Sequence, residues 1–474
     1  MRRGVLAACA LLAAGCAYYN GLYNANRLAG DARRAEREGR PGEARSLWAQ
    51  AAVKAESVAT RFQGSKWRDD ALLLWGQALY HTESCPRAVR PLRAAADSST
   101  DAAVRDDARL LLGECLVLLG QADSAVTVLT PLTVRPDAAA AARPRLWRGR
   151  AYVQLGRHDD AVPDLQAALE QHQPAHFDLA FAYAGLGATA AAAAVLEARL
   201  SAPYEEDRWL AALDSLGRRA PDHATRLVDV LRERPDLTPG QRARLLLADG
   251  RRWRGVGDVA PAAERFEEAV QAAPDSAAGL AASGELAMAQ TPDAEVQDVS
   301  RLLGMLEAAR QAGAATGEMI LHGDILRRVL QARTDEGGSD QSLAMFMAAE
   351  AVRDTLAAPQ LAAGVFLQMP QRYPQSPLVP KALLAAAMLR PEMADSLVGV
   401  LQRVYPESPY TRALWGAAGI DFVILEDSIR TAILGPRAAP ERRSGEIRRL
   451  RRGVDEDPPP PASPAPRPRR PIDP

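Results

Sequence analysis

The sequence predicts an all-α solenoid of stacked helical hairpins, in one continuous run or in two blocks, and three observations carry that prediction. Aromatic residues make up 5% of the 474 positions and β-branched residues are sparse beside the many Ala and Leu, which argues against a sandwich or barrel. Apolar positions recur at helical rather than alternating spacing. A pattern of small residues returns at intervals of roughly 34 residues, which is the length of one helical hairpin. At 47% hydrophobic and 25% charged residues the chain has the balance of a folded protein. A formal charge of −1 lacks the basic excess of a nucleic-acid binder.

The first element is a targeting segment. Arg2 and Arg3 precede an apolar run from Val5 to Leu12 and then Ala13-Ala14-Gly15-Cys16: a charged start, a short apolar stretch and a small-residue cleavage site. The run is little more than half of the roughly 20 residues that span a bilayer, so residues 1–15 read as a signal peptide. Small residues ending in Cys resemble the bacterial lipobox, which implies that Cys16 becomes the lipidated first residue. The slot three before the Cys holds Ala13, where that motif usually has Leu. A plain secretory cleavage with Cys16 incidental is the alternative. By the same resemblance Ala17 implies the outer membrane, with the body facing the periplasm. Removing residues 1–15 leaves 56 basic against 59 acidic residues, so no strong overall charge draws the chain to lipid. Residues 16–24 form an anchor and linker in which Tyr18, Tyr19 and Tyr23 either sit at headgroup level or dock on the first helix pair.

The body repeats. Gly250, Gly257, Ala262, Phe266, Ala269 and Pro274 form a full ladder; Gly149, Gly156, Ala161, Leu165 and Ala168 reproduce its first four steps, as do Gly113, Gly120, Ala125, Leu129 and Leu132. Gly76, Ala88, Leu92 and Ala95 fit with Glu83 in the second Gly slot; Gly39, Ala44, Trp48 and Ala51 give the latter half, and Gly187, Ala192 and Leu196 do the same. Seven residues are two helical turns, the second Gly breaks the first helix, and the next Ala opens a helix whose large and small residues share one stripe. This spacing resembles the tetratricopeptide repeat (TPR), clearly over residues 25–202 and again at 241–275. Residues 203–340 otherwise read as helical but off the ladder, at 204–240 and 276–342.

In residues 341–434 two further second helices appear: Ala362, Phe366, Met369 and Pro374, then Ala394, Val398, Leu401 and Pro406. Both close on matching phrases, Tyr373-Pro374-Gln375-Ser376-Pro377 and Tyr405-Pro406-Glu407-Ser408-Pro409, that stop one helix and start the next. Such phrases, and the boundary at Ser65-Lys66-Trp67-Arg68-Asp69-Asp70-Ala71-Leu72, resemble those of envelope TPR lipoproteins, the wider group that includes the outer-membrane assembly lipoprotein BamD. The uncharged stretch Leu179–Leu196 is mostly Ala, contains Gly185 and Gly187 and sits in ladder register, so it reads as a hairpin rather than a membrane span. Residues 435–474 read as a disordered or polyproline-like tail.

No phosphate-binding loop, nucleophile elbow, paired metal-ligand Cys or His-Glu-x-x-His helix occurs, which weakens an enzymatic reading. His172 and His176, with Glu170 and Asp178 nearby, have spacing that suits a metal, but Pro174 between them favours a polar connection instead. Cys85 and Cys115 are either a disulfide or two buried thiols. Arg442, Arg443, Arg448, Arg449, Arg451 and Arg452 form a basic cluster, partly cancelled by Asp455, Glu456 and Asp457, that reads as a solvated helix end or a contact for an anionic envelope polymer or lipid.

The TPR resemblance implies recognition rather than catalysis, by a concave groove lined with inner residues of each first helix. Carried onto the ladder, the groove candidates are Leu73, Gln77, Tyr80, Glu114, Val117, Arg150, Gln154, Phe177, Phe181, Arg251 and Arg254. The expected partners are envelope proteins or peptides, with no cofactor, and the expected role is a lipid-anchored scaffold in envelope assembly. The alternatives are a glycan-binding surface lipoprotein, which needs exposed Trp and Tyr, and an enzyme whose site lies among Met319, His322 and Asp324.

Overall fold

A computed structural model describes residues 21–334, 339–416 and 419–434. The signal-peptide and lipidation residues up to Cys16, and the basic cluster and Pro-rich tail, lie outside the described residues. Within them all regular structure is helical: α1 covers 21–37, followed by α2 (Pro41–Arg61), α3 (Arg68–His81), α4 (Cys85–Ser98), α5 (Ala102–Leu118), α6 (Ala122–Thr133), α7 (Ala138–Gln154), α8 (His158–Glu170), α9 (His176–Leu186), α10 (Thr189–Glu197), α11 (Glu206–Gly217), α12 (Pro221–Arg232), α13 (Pro239–Gly255), α14 (Val259–Ala272), α15 (Ala277–Gln290), α16 (Val299–Gln311) and α17 (Gly317–Thr334). After these come α18 (Ser339–Asp354), α19 (Pro359–Arg372), α20 (Val379–Leu389), α21 (Ala394–Val404), α22 (Pro409–Ala413) and α23 (Ile420–Leu434).

The ladder is a packing rule between the two helices of each hairpin. The large residue sixteen positions after the first Gly lies directly on that Gly. A Cβ added to Gly76 would sit 2.4 Å from Leu92, one on Gly113 2.4 Å from Leu129, one on Gly149 2.6 Å from Leu165, and one on Gly250 2.5 Å from Phe266. All four large residues are completely buried, each contributing about 1.5–3 kcal/mol by burial. Where the slot holds Ala the same spacing persists, from Ala32 to Trp48 and from Ala180 to Leu196.

The second slot ends the first helix. Gly39, Gly120, Gly156, Gly187 and Gly257 have φ between +70° and +87°. The amide after each bonds back to a carbonyl five residues earlier, as Gln121 does to Leu116 at 2.8 Å and Arg157 to Tyr152 at 2.9 Å, the Schellman closure that a left-handed residue permits. Glu83 occupies this slot with φ +57°, so its side chain bears the left-handed strain that Gly avoids.

The segment 204–240, read from sequence as off the ladder, is a hairpin of the same register. Ala212, Ala224, Val228 and Leu231 take the first, third, fourth and fifth positions, and all are buried. The signal is hidden because Arg219 stands where the second Gly belongs. Its guanidinium donates to the carbonyls of Ala184 (2.5 Å) and Gly185 (2.7 Å) at the C-terminal end of α9. Leu179–Leu196 is likewise broken at Gly187 into α9 and α10, and no described helix is long and apolar enough to cross a membrane.

The chain divides into two compact units: the described residues through Thr291 with Ser300–Asp324, and Pro292–Val299 with the described residues from Ile325 on. In the first, each helix packs on its chain neighbour from α2 to α15, most sparsely where α10 meets α11, and the odd-numbered helices α3 to α15 also touch one another backbone to backbone at every step. Among the even-numbered helices only α10 and α12 come comparably close. The odd layer is therefore the tighter, inner one, as a curved stack requires. Regular ladder spacing stops after α15 because the connection to α16 is eight residues long, and Gly284 faces Met319 and Ala309 rather than a residue sixteen later.

In the second unit Ala382, Ala394, Val398 and Leu401 repeat the ladder, and Ala357 takes a left-handed φ of +50°. The matching phrases are one structure used three times. The amide of Phe62, Tyr373 or Tyr405 closes the preceding helix on Val58, Met369 or Leu401, and the amide of Ser65, Ser376 or Ser408 then bonds back to that aromatic residue's carbonyl. The same serine hydroxyl accepts from the amide two residues on, at 3.3 Å each time, and so starts the next helix.

Because Leu165 has no room to withdraw from a side chain at position 149, Gly149→Ala is expected to lower stability by roughly 1–3 kcal/mol in urea denaturation. The double variant Gly149→Ala/Leu165→Ala is expected to cost less than the sum of its parts, since the smaller side chain makes the space; additive losses would break the packing rule.

Candidate functional site

The inner layer is held together by side chains that reach from one odd helix to the next. Arg33 of α1 donates to Gln77 of α3 at 3.0 Å. Arg143 of α7 binds Glu114 of α5 through two nitrogens, at 2.7 and 3.0 Å. Gln154 of α7 donates to the Val117 carbonyl of α5 at 3.1 Å. On α9, Asp178 is shared by Arg150 of α7 at 3.0 Å and Arg208 of α11 at 3.4 Å. Arg244 of α13 pairs with Glu206 of α11, while Arg251 (2.8 Å) and Arg254 of the same helix converge on Glu285 of α15.

Burial decides what these links are worth. Exposed pairs contribute at most about 1 kcal/mol, but Glu114 and Glu285 have no exposed surface, so removing their arginines would strand a buried carboxylate. Tyr80 lies beside Glu114 and Arg143; burial, reinforced by the neighbouring carboxylate, pushes its phenol up to about 12. It stays protonated at neutral pH and can donate.

These contacts sort the groove candidates. Glu114, Val117 and Phe177 are corrected out of the accessible surface, being 0%, 3% and 2% exposed. Glu114 is covered by Arg143; Val117 belongs to the core; Phe177 packs edge-on to Trp209 at 5.3 Å with the Arg208 guanidinium 4.8 Å above it. Leu73, Gln77, Tyr80 and Phe181 are half-buried, Gln154 is exposed, and Arg150, Arg251 and Arg254 present one side of their guanidinium groups while tied to acids on the other.

Arg143, Trp147, Arg208 and Arg244 belong to the same face and were not singled out from sequence. On α7 the signal was present: Arg143, Trp147, Arg150 and Gln154 recur at steps of four, three and four, a single helical stripe. Arg150 stacks on Trp147 at 4.7 Å. Between α11 and α13 the face deepens into a cleft of about 650 Å³, floored by Leu210, Leu247 and Val256 and rimmed by Arg218, Arg244 and Arg251.

Cys85 at the start of α4 and Cys115 in α5 are joined by a disulfide with Cα atoms 5.1 Å apart. It links the second helix of one hairpin to the first helix of the next. His81, the residue after Tyr80 and the last of α3, stacks on Trp48 at 4.2 Å and lies 3.0 Å from Glu36. Burial pushes its imidazole below the ordinary value, against the opposing pull of Glu36. Asp178 faces two arginines, and among the described residues no group of three His, Cys, Asp or Glu is placed to hold a metal ion. Met319 is buried against Gly284, and His322 bonds back to its own helix at the Glu318 carbonyl.

A family model described as a tetratricopeptide repeat-like domain matches residues 5–184. Among solved structures the chain is similar to a tetratricopeptide repeat protein from Parabacteroides merdae, at 15% identity and TM-score 0.36, over 53% of this chain and 94% of that one. It is also similar to the apo form of the quorum sensor NprR from B. thuringiensis, at 14% identity and TM-score 0.31, over 76% and 99%. A third is Naa15/Naa10 bound to HypK-THB, at 13% identity and TM-score 0.29, over 87% and 64%. A search of curated proteins finds no match.

Two outcomes are expected. Alkylation of the unreduced chain under denaturing conditions is expected to label neither Cys85 nor Cys115, and reduction is expected to cost about 3–4 kcal/mol in denaturant titrations, as for a loop of this length. For His81, whose folded form resists protonation, stability is fully present above its unfolded value near 6.5 and is lost as pH falls below it. His81→Gln is therefore expected to flatten the drop in urea midpoint between pH 7.5 and 5.5; an unchanged slope would show that His81 does not contribute.

Proposed function

We propose that the protein is a lipid-anchored scaffold of the bacterial cell envelope that binds a protein partner along its inner helical layer, with Cys16 as the lipidated residue, the outer membrane as its location and the periplasm as the side it faces. The observation that carries the binding reading is the inner stripe of the first unit. Half-buried Leu73, Tyr80 and Phe181 alternate there with Arg150, Arg251 and Arg254, whose guanidinium groups are held in position by Asp178 and Glu285. Oriented arginines and partly exposed aromatic side chains are the residue types that dominate protein interfaces. Pre-ordering by the acids lowers the entropy a partner's docking must overcome. The TPR-like fold supports the same reading, since such folds bind protein partners. The sequence pattern of residues 1–16 supports the anchor.

Glycan binding draws less support from the aromatic residues. Trp48 and Trp209 are completely buried, and among Trp residues only Trp415 is largely exposed.

Affinity purification from detergent-solubilised membranes, with Tyr80→Ala and Arg150→Ala beside the wild-type chain, tests the groove. At least one co-purifying protein is expected to fall several-fold in both variants, matching about 1–2 kcal/mol per lost anchor. Every partner at wild-type yield would refute the groove. Metabolic labelling with palmitate, lost in Cys16→Ala, tests the anchor separately.

A further inference from the structure

The cations of this protein are unevenly used. Arginines in the inner layer are tied to acids, yet seven cations in the first four helices, Arg27, Arg37, Lys54, Arg61, Arg87, Arg90 and Arg93, are exposed and their side chains make no ion pair or hydrogen bond. Residues 21–98 carry thirteen Lys and Arg against nine Asp and Glu, whereas residues 99–434 carry 33 against 44. The N-terminal hairpins are thus a basic end on an otherwise acidic body.

The densest part is α4. Arg87, Arg90 and Arg93 follow one another at three-residue steps, within one arc of about 120° on the helix surface. The opposite arc, Ala88, Pro91, Leu92 and Ala95, is buried. Folding does not account for the stripe. Like charges at this spacing repel by a few tenths of a kcal/mol per pair, Arg87 in the first turn opposes the helix dipole, and the first turn holds no acid. α4 belongs to the even, outer layer, so the stripe points away from the inner face.

We infer that the outer surface of the first two hairpins, centred on Arg87, Arg90 and Arg93, is a contact for anionic phospholipid headgroups. It goes beyond the scaffold reading and draws on the anchor only for orientation. The described helix α1 is under way at residue 21, five residues from Cys16, so an anchor at Cys16 holds α1 within about 18 Å of the headgroups. That tether is short enough for the first two hairpins to lie down on the surface, and each cation that comes within a Debye length of about 8–10 Å gains about fivefold in partitioning. The acidic remainder is repelled by the same field. Anchor and basic patch together would lay the N-terminal hairpins on the membrane and leave the inner layer open to partners.

The test uses the full chain with Cys16→Ala, made without acylation, in flotation with vesicles of phosphatidylglycerol and phosphatidylethanolamine or of phosphatidylcholine alone. Preferential binding to the anionic vesicles is expected, weakening as salt is raised. Arg87→Gln, Arg90→Gln and Arg93→Gln combined are expected to lower that binding roughly tenfold or more, while the three Lys replacements keep it, and circular dichroism verifies the fold of each. Arg226→Gln with Arg403→Gln, at exposed unpaired cations elsewhere, is expected to leave it unchanged. Equal binding to both vesicle types, or unchanged binding of the triple Gln variant, would overturn the inference, including the case in which removing Arg442, Arg443, Arg448, Arg449, Arg451 and Arg452 abolishes binding instead. None of these outcomes bears on palmitate labelling at Cys16, which reports the anchor alone.

Discussion

The contact of one large side chain on one absent side chain sets the geometry of each hairpin. With Leu92, Leu129, Leu165 or Phe266 seated on a glycine, the two helices approach more closely than ordinary side chains permit, and the left-handed residue seven positions after that glycine turns the chain at the right place to make the contact. Helix pairs of this kind cannot bury both faces alone, so they stack. The stack creates an inner layer of first helices whose outward chemistry is left to other residues.

Arginine supplies much of that chemistry. Only Lys54, Lys66 and Lys381 are lysines, a bias that composition alone offers no structural reason for. The structure gives the guanidinium group repeated tasks that a point-charge ammonium performs poorly. It caps helix ends by bridging carbonyls, as Arg219 does on α9 and Arg242 does on the carbonyls of Arg232 and Arg234. It ties acids between neighbouring first helices, and it lies over Trp147 and Phe177. Near Asp249, Arg252 and Arg265 converge on one fully buried carboxylate that also accepts from Thr225, fixing α13 against its neighbours. Among the described residues most cations that perform none of these tasks lie in the N-terminal hairpins, with Arg226 and Arg403 among the exceptions, which is why their exposure there carries meaning.

Function on such a frame depends on which inner residues stay accessible. Position on a helix stripe is a property of spacing, but accessibility depends on what the next hairpin places opposite. Gln77 and Glu114 each stand one residue after the first Gly of their hairpin; the first remains half-open and the second disappears beneath Arg143, because α7 supplies a long cation at that height. The cleft between α11 and α13 arises in the same way: Gly217 lets Arg252 pack directly against α11, and Gly255 leaves open space that a larger residue would fill.

Local order was legible in the chain by itself. Helix boundaries at Gly39, Gly120, Gly156, Gly187 and Gly257, the pairing of Gly113 with Leu129, and the serine-started helices after Tyr373 and Tyr405 follow from spacing, since backbone conformation and two-helix packing act over fewer than twenty residues. The hairpin at 204–240 escaped that reading because Arg219 satisfies a neighbouring helix end in place of a glycine turn, a relation 35 residues long. Tertiary structure alone decided that Glu114, Val117 and Phe177 are interior, that Cys85 meets Cys115, and that Arg150 and Arg208 share Asp178. Those outcomes depend on the rotation of one hairpin against the next, which no short-range spacing encodes.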